Sequence, residues 1–466
     1  MWELIKNFGI YGIGNVISKF MSFFLLPIYT SVFTPTEYGY LDLIITASSI
    51  LSVFGLLQIE TGFQRFYYET DIGKRADYIF TNLLFVFICS IFFVIIGIVL
   101  SPLISDLMLG GFYTKVLILS FITLIPQNLL TMCLIVMNFQ GNAKQYSALT
   151  ILNILISASL TILLIVIFKI GILGVFIATF FSTTFIFLLS LWIIRHLIGN
   201  KVEFKILHEE LKFSIPQFPA RIGSISNVYL NRFFMLSRFS PAAIGLFSVG
   251  LKFAGVMNLI LGAFQISWIP YMYKIAKQEN HQEQIRKIQN GIVDIILLLV
   301  LIITLFSSEI VQFVANQSYY ESSSIIGILS LSIGLYVFKV IAECGIQLSN
   351  KTKFSSYSYL SSLGLNVLLL VLVPPSWGIM GISLTMLFTN LFLFYASLFF
   401  SEYLYPIQFD KFAITAKIAF FIPTIIFMSY NQIDFFFKLL IFLSILLYIT
   451  KRIYPLRNHL KNKLKY

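Results

Sequence analysis

Charge is what this chain has least of. Only 11% of its 466 residues are Asp, Glu, Lys or Arg, against 58% hydrophobic residues and a mean hydropathy of +0.90. Soluble globular domains carry about 25% charged and about 45–50% apolar residues, so these proportions exclude a water-soluble fold. Cysteine is nearly absent too: Cys89, Cys133 and Cys344 all lie inside apolar segments. An odd, dispersed set of that kind excludes a disulfide framework and a thiolate metal site. The histidines, His196, His208, His281 and His459, fall between apolar segments or in the tail, where solvated positions are expected and a metal is not. Also missing are a phosphate-cradling Gly-Lys-Ser/Thr loop, a nucleophile elbow and a paired-aspartate motif. No cofactor and no catalytic residue is therefore expected. The acidic deficit leaves a net charge of +12. No basic run is interleaved with aromatics on a polar segment, so the excess reads as a record of membrane orientation and not as nucleic-acid binding.

What is present is a series of long apolar runs. A hydrocarbon core about 30 Å thick takes about 20 apolar residues per helix. By that measure an all-α polytopic membrane protein of 14 transmembrane helices is expected, near residues 7–30, 40–62, 79–102, 114–137, 147–168, 171–194, 213–237, 242–269, 290–306, 323–348, 354–373, 378–401, 412–429 and 433–450. The N-terminal run lacks a small-residue cleavage site and is expected to be a retained span. Connections on one side carry Arg65, Lys74, Arg75, Lys144, Lys201, Lys205, Lys212, Lys274, Arg286, Lys351, Lys353 and the basic tail, whereas the other side shows only Lys115, Lys169 and Arg238. That asymmetry predicts both termini in the cytoplasm. The longest connection on the far side is expected to be 307–322, and the basic stretches 195–212 and 270–289 are expected to rest on anionic membrane lipids.

The chain also echoes itself. Residues 5–40 align without a gap on 211–246 at an offset of 206, pairing Phe33 with Phe239, Pro35 with Pro241 and Gly39 with Gly245. A second echo, at offset 207, pairs the Gly-x-x-Gly openings Gly171/Gly174 and Gly378/Gly381. Six spans separate the copies. We therefore expect two six-helix bundles, residues 1–205 and 206–405, related by a pseudo-twofold along the membrane normal. Two additional helices and the basic cytoplasmic tail follow at 406–466. Polar residues run down the first span of each copy at helical spacing: Asn7, Tyr11, Asn15, Ser18 and Ser22, then Gln217, Arg221, Ser224 and Asn231.

Basic residues inside spans cost about 2.5–3.5 kcal/mol each at a helix centre and need a partner, water or a route to the surface. Lys417, Lys438 and Arg232 lie close enough to span ends to snorkel. Lys19, Arg221 and Lys252 do not, and with Asn15, Gln217 and Lys339 they are expected to line a cationic cavity. Lys339 and Glu343, four residues apart, have the equal alternative of neutralising each other. Of the acidic residues in or near spans, Asp42, Glu60, Asp294 and Glu343, the candidates for coupling to H+ or Na+ are Glu343, Asp42 and Asp294.

The opening LIKNFGIYGIGNVISKFMSFFLLPIYTSVFTPTEYGYLDL, the turn Thr34-Pro35-Thr36-Glu37-Tyr38-Gly39, the stretch Gln64-Arg65-Phe66-Tyr67-Tyr68-Glu69 and Gly141-Asn142 resemble bacterial polysaccharide flippases. These are the Wzx-type O-antigen and capsule repeat-unit transporters of the multidrug/oligosaccharidyl-lipid/polysaccharide exporter superfamily. The resemblance covers most of residues 1–400 and implies two six-helix bundles about a central cavity, working by alternating access. The implied substrate is a polyprenyl-diphosphate-linked oligosaccharide moved to the outer leaflet of the cell membrane. Other polysaccharide-assembly proteins are the implied partners. Lacking a nucleotide site, such a protein needs an ion or substrate gradient as its drive. An ion-coupled multidrug exporter or a peptidoglycan-precursor flippase fits the same resemblance. A membrane polysaccharide polymerase or ligase is the alternative of another class, and it requires a longer outer loop than this charge map allows.

Overall fold

The computed structural model describes residues 23–443, apart from positions 277, 350, 352, 432, 433 and 435, and every regular element among them is helical. Ten of these helices are long and apolar enough to cross a membrane, or eleven when the bent pair Pro241–Ala254 and Val256–Gly262 is one span. The expected second to sixth and ninth to thirteenth spans coincide with the ten, and the eighth is the bent pair, folded by 42°. The seventh is a helix too polar to qualify by composition. Most of the first and half of the fourteenth lie outside the described residues.

Which side chains face outward shows the solvent. Along α4 (Arg75–Leu109), Phe92, Ile95, Val99, Leu103 and Leu107 are all more than half exposed, while Ser90, Gly97, Ser101 and Ser105 are buried. Small residues let neighbouring helices approach, and large apolar ones meet lipid. A protein folded in water would reverse the pattern.

The chain separates into two compact units, residues 1–248 and 249–466. The first contains α1 (Phe23–Val32), α2 (Pro35–Leu56), α3 (Ile59–Glu69), α4, α5 (Thr114–Phe139), α6 (Ala143–Ile162), α7 (Ile172–Ile194), α8 (Phe204–Ser214) and α9 (Phe218–Arg238), and it ends within α10 (Pro241–Ala254). Its packing centres on α5, which touches α2, α4, α6 and α7. Hydroxyls and amides stitch these helices together. Ser48 donates to Ser120 at 2.8 Å, Ser52 to Asn128 Oδ1 at 2.8 Å, and Asn128 Nδ2 to Ser90 at 3.0 Å.

The first sequence echo becomes a contact within this unit. Thr34 and Glu37 form a reciprocal cap at the start of α2, with Pro35 at its first position. In the second copy Ser240 accepts from the Ala243 N–H at 3.3 Å, and Ala243 stands where the first copy has Glu37. The two helix starts lie against each other reciprocally. A Cβ on Gly39 would stand 1.9 Å from the Pro241 carbonyl oxygen, and one on Gly245 would stand 1.9 Å from that of Pro35. Both glycines are therefore required for the crossing, and the symmetry of the contact is that of a local twofold.

In the second unit α14 (Ser323–Ala342) is buried over nearly its whole length. It is surrounded by α11 (Val256–Ile275), α12 (His281–Leu305), α13 (Ser307–Val314), α17 (Gly378–Leu404) and α18 (Lys411–Tyr430). Close approach again depends on small residues: a Cβ on Gly327 would meet Thr304 Oγ1 at 2.4 Å. α15 (Cys344–Leu348) and α16 (Lys353–Leu372) complete the unit.

Residues 307–322 form α13 and a 3-10 turn, with Val311 and Tyr319 fully buried as apolar anchors. Other expectations need correcting. The stretch 195–212 does not simply rest on lipid, since α8 buries Glu210 and Ser214 against α3 and α4. His281 is not a solvated loop residue: it opens α12, with Nε2 2.5 Å from the Tyr405 hydroxyl. Arg232, Lys417 and Lys438 do not snorkel but form ion pairs, with Asp42 at 3.1 Å, Asp294 at 2.6 Å and Glu309 at 2.7 Å. In a low-dielectric surrounding an opposite charge within reach outweighs the stretch to a distant interface.

Candidate substrate cavity

A cavity of about 580 Å³ opens inside the first unit. α2 contributes Ser48, Ser49 and Ser52, α5 contributes Ser120, Thr123 and Gln127, and α7 contributes Thr179. The α2 and α5 sets recur at three or four residues, which puts each on one helical face. The fourth wall is α9, whose Arg221, Ile225, Val228 and Tyr229 follow the same rule. The α9 polar stripe read from the sequence thus reaches the cavity through Arg221, while Asn231 is buried elsewhere.

The remaining polar groups come from a break. α2 ends where Leu57 and Gln58 both take left-handed backbone angles, with φ of 48° and 61°. Two successive non-glycine residues in that region are costly, and such strain persists where surrounding structure holds it. The break turns Gln58 and Glu60 onto the cavity wall. Non-helical backbone at membrane depth is tolerated where it is buried in protein or faces a water-filled space, and this cavity supplies that space. Among the described lining residues the charges are one cation, Arg221, and one anion, Glu60. No ion pair joins them among the described residues.

The other site residues expected from the sequence are distributed differently. Asn15 and Lys19 fall outside the described residues, as does the Gln217 side chain. Lys252 is an exposed residue near the end of α10, in the second unit. Lys339 is buried in α14, where it pairs with Glu343 and donates to the Tyr359 hydroxyl at 3.0 Å. Tyr336 and Tyr359 share a hydrogen bond of 2.6 Å beside it. The equal alternative, mutual neutralisation at four-residue spacing, is the arrangement found. Asp42 and Asp294 likewise have counter-charges, so all three acidic candidates for ion coupling are in ion pairs. Glu60 was visible in the sequence as an acid near a span, but nothing there marked the helix break that turns it inward.

The profile of the family described as "Polysaccharide biosynthesis protein" matches residues 4–276, more than half of the chain. The chain belongs to that family. An uncharacterized membrane protein of Haemophilus influenzae is 27% identical over 282 residues, covering 59% of this chain and 67% of its own. Lsg locus putative protein 1 of the same organism is 23% identical over 286 residues, covering 59% and 68%. Among solved structures, the lipid II flippase MurJ in an inward closed conformation superposes with a TM-score of 0.75 at 15% identity, covering 96% of this chain and 99% of that one. An inward-facing multidrug resistance MATE family transporter of the MOP superfamily gives 0.65 at 13% identity, covering 88% and 96%. This member of the polysaccharide biosynthesis family therefore has the fold of those transporters and is a multi-pass membrane protein.

Proposed function

We propose that the protein is a flippase, not an enzyme, that carries a polyprenyl-diphosphate-linked oligosaccharide from the cytoplasmic to the outer leaflet of a bacterial cytoplasmic membrane. The observation that carries this reading is Arg221 on the wall of a polar cavity within an otherwise apolar helical unit. A diphosphate and its sugars cannot cross about 30 Å of hydrocarbon unsheltered. A guanidinium offers the planar pair of donors that phosphate oxygens accept, and the serine, threonine and glutamine faces of α2, α5 and α7 offer hydrogen bonds to sugar hydroxyls. Family membership and the shared fold support a lipid-linked substrate and alternating access. Two six-helix lobes, 1–205 and 206–405, with 406–466 appended as two further helices, complete the proposal. The reciprocal Gly39–Gly245 crossing and the twin Gly-x-x-Gly openings favour a pseudo-twofold between them. We further propose that both termini are cytoplasmic, and that Asn15, Lys19, Gln217 and Lys252 add to the binding surface.

Arg221→Ala and Arg221→Lys test this in cells lacking the native gene. Losing one charge-assisted hydrogen bond of about 1.5–3 kcal/mol predicts about tenfold to a hundredfold less lipid-linked oligosaccharide reaching the outer leaflet. The lysine variant should recover only part of it, because it cannot bind bidentately. Undiminished transport by well-expressed Arg221→Ala would overturn the role of the arginine.

One observation favours a second reading. Glu60 on the same wall suits a cationic drug, as an ion-coupled multidrug exporter would require. Efflux of cationic dyes that Glu60→Gln abolishes, with polysaccharide unaffected by either variant, would select it.

A further inference from the structure

Glu210 is fully buried although it belongs to the amphipathic helix α8. Its Oε2 accepts from Asn82 Nδ2 on α4 at 3.1 Å, while Oε1 has no hydrogen-bond partner. The Tyr78 hydroxyl is beside the carboxyl but makes no hydrogen bond of good geometry. On α3 the space is left by Gly62, where a Cβ would meet Glu210 Cγ at 2.6 Å and Ser214 Oγ at 2.4 Å. The other ionisable groups of these elements are engaged or exposed. On α3, Arg65 lies over the Phe213 ring at 4.4 Å and near Glu69 at 3.9 Å, while Glu60 lines the cavity. On α4, Asp77 accepts from the Asn200 and Lys201 N–H groups, and on α8, Lys205, His208, Glu209 and Lys212 are exposed. Among the described residues no cation pairs with Glu210.

We propose that Glu210 is a proton-binding site that latches α8 to α3 and α4, holding the helix docked while the carboxyl is protonated and releasing it when the carboxyl ionises. An ionised carboxylate with one amide donor and no counter-charge is too costly to keep buried. Burial, opposed by the Asn82 and Tyr78 hydrogen-bonding groups, pushes this carboxyl up to about 8 from its ordinary 4.5. The docked pKa is therefore the higher one. Docking is fully supported below about 4.5, weakens as pH rises through the interval, and has lost the contribution above about 8. On ionising, the proton leaves to water and the freed carboxylate is hydrated with α8 detached. α8 runs through the Ile215–Gln217 turn into α9, so its release reaches the segment that carries Arg221. The latch thus adds proton control to the proposed cavity, yet it can be read without transport.

Spin labels at Gln64→Cys on α3 and Lys212→Cys on α8, in full-length protein with its native cysteines replaced by serine and reconstituted in lipid nanodiscs, report the docking directly. We expect one short distance at acidic pH and a longer component that grows as pH rises toward about 8 and levels off above it. Glu210→Gln should hold the short distance throughout, and Asn82→Leu, which removes the donor favouring the docked anion, should enlarge the longer component at high pH. A pH-independent distance in the parent protein, the same transition in Glu210→Gln, or a smaller longer component in Asn82→Leu at high pH would each overturn the proposal. Because the readout is a distance, a failure here leaves the transport assay on Arg221 untouched.

Discussion

Arg221 and Arg232 lie on one helix, about three turns apart, and have opposite surroundings. Arg221 lines the cavity, whereas Arg232 is buried, donates to Asp42 at 3.1 Å and to the Val228 carbonyl at 2.7 Å, and sits over the Phe247 ring. Breaking a buried pair by removing one partner costs about 3–5 kcal/mol, since the other charge is stranded. Asp42→Asn and Arg232→Met should each lower the thermal stability of the purified protein by that order, and the double variant should recover part of the loss. Additive losses in a double-mutant cycle would show that the two residues do not act as a pair. The sequence displayed both charges, but 190 residues separate them. A helical pattern reports which neighbours share a face within an element, and it carries no information on what a distant helix brings to that face. Lys339 and Glu343 show the converse, since their four-residue spacing offered the pair as an equal alternative within a single helix.

At the level of the element, the repeat was legible because it places glycine where only glycine serves. Gly171 and Gly378 open α7 and α17 with nearly the same backbone angles, φ 72° and ψ −150° in one and φ 54° and ψ −144° in the other. That region is essentially closed to residues with a Cβ. Neither position has an atom within 4 Å of where a Cβ would stand, so the constraint is conformational and not steric. The second glycine of each motif does the packing: Gly174 meets Leu164 and Ile165, and Gly381 meets Val373 and Trp377. Gly171→Ala and Gly378→Ala should therefore each destabilise by about 1–3 kcal/mol, and by similar amounts. Calorimetry giving a large loss for one and none for the other would refute the equivalence. The break at Leu57 and Gln58 was not legible, because neither residue is a turn former and the surrounding fold alone holds the bend.

For the molecule as a whole, the contacts divide the chain after Ser248, while the repeat in the sequence divides it near residue 205. The difference is α8, α9 and the start of α10, which belong by sequence to the second copy and pack within the first unit. The echo records like residues at like spacing, whereas contacts record where a segment finds partners. Hydropathy located eleven spans because lipid demands length and apolarity. α9, at the expected seventh span, falls short of that apolarity because one of its faces carries Arg221 to the cavity. The charge asymmetry makes a separate prediction about orientation. In a background with the native cysteines replaced, Lys201→Cys should react with a membrane-impermeant maleimide only from the cytoplasmic side, and Phe112→Cys, in the exposed turn beyond α4, only from the outside. Labelling of both from one side would refute the proposed orientation.

The interruption between α2 and α3 has a further consequence. Where a helix stops and restarts, the last carbonyls of one segment and the first amides of the next fall outside the helical ladder. These main-chain groups adjoin Gln58 and Glu60, which line the cavity. Any hydrogen bond they offer is common to every residue type that tolerates the bend, and replacing side chains one by one leaves it in place.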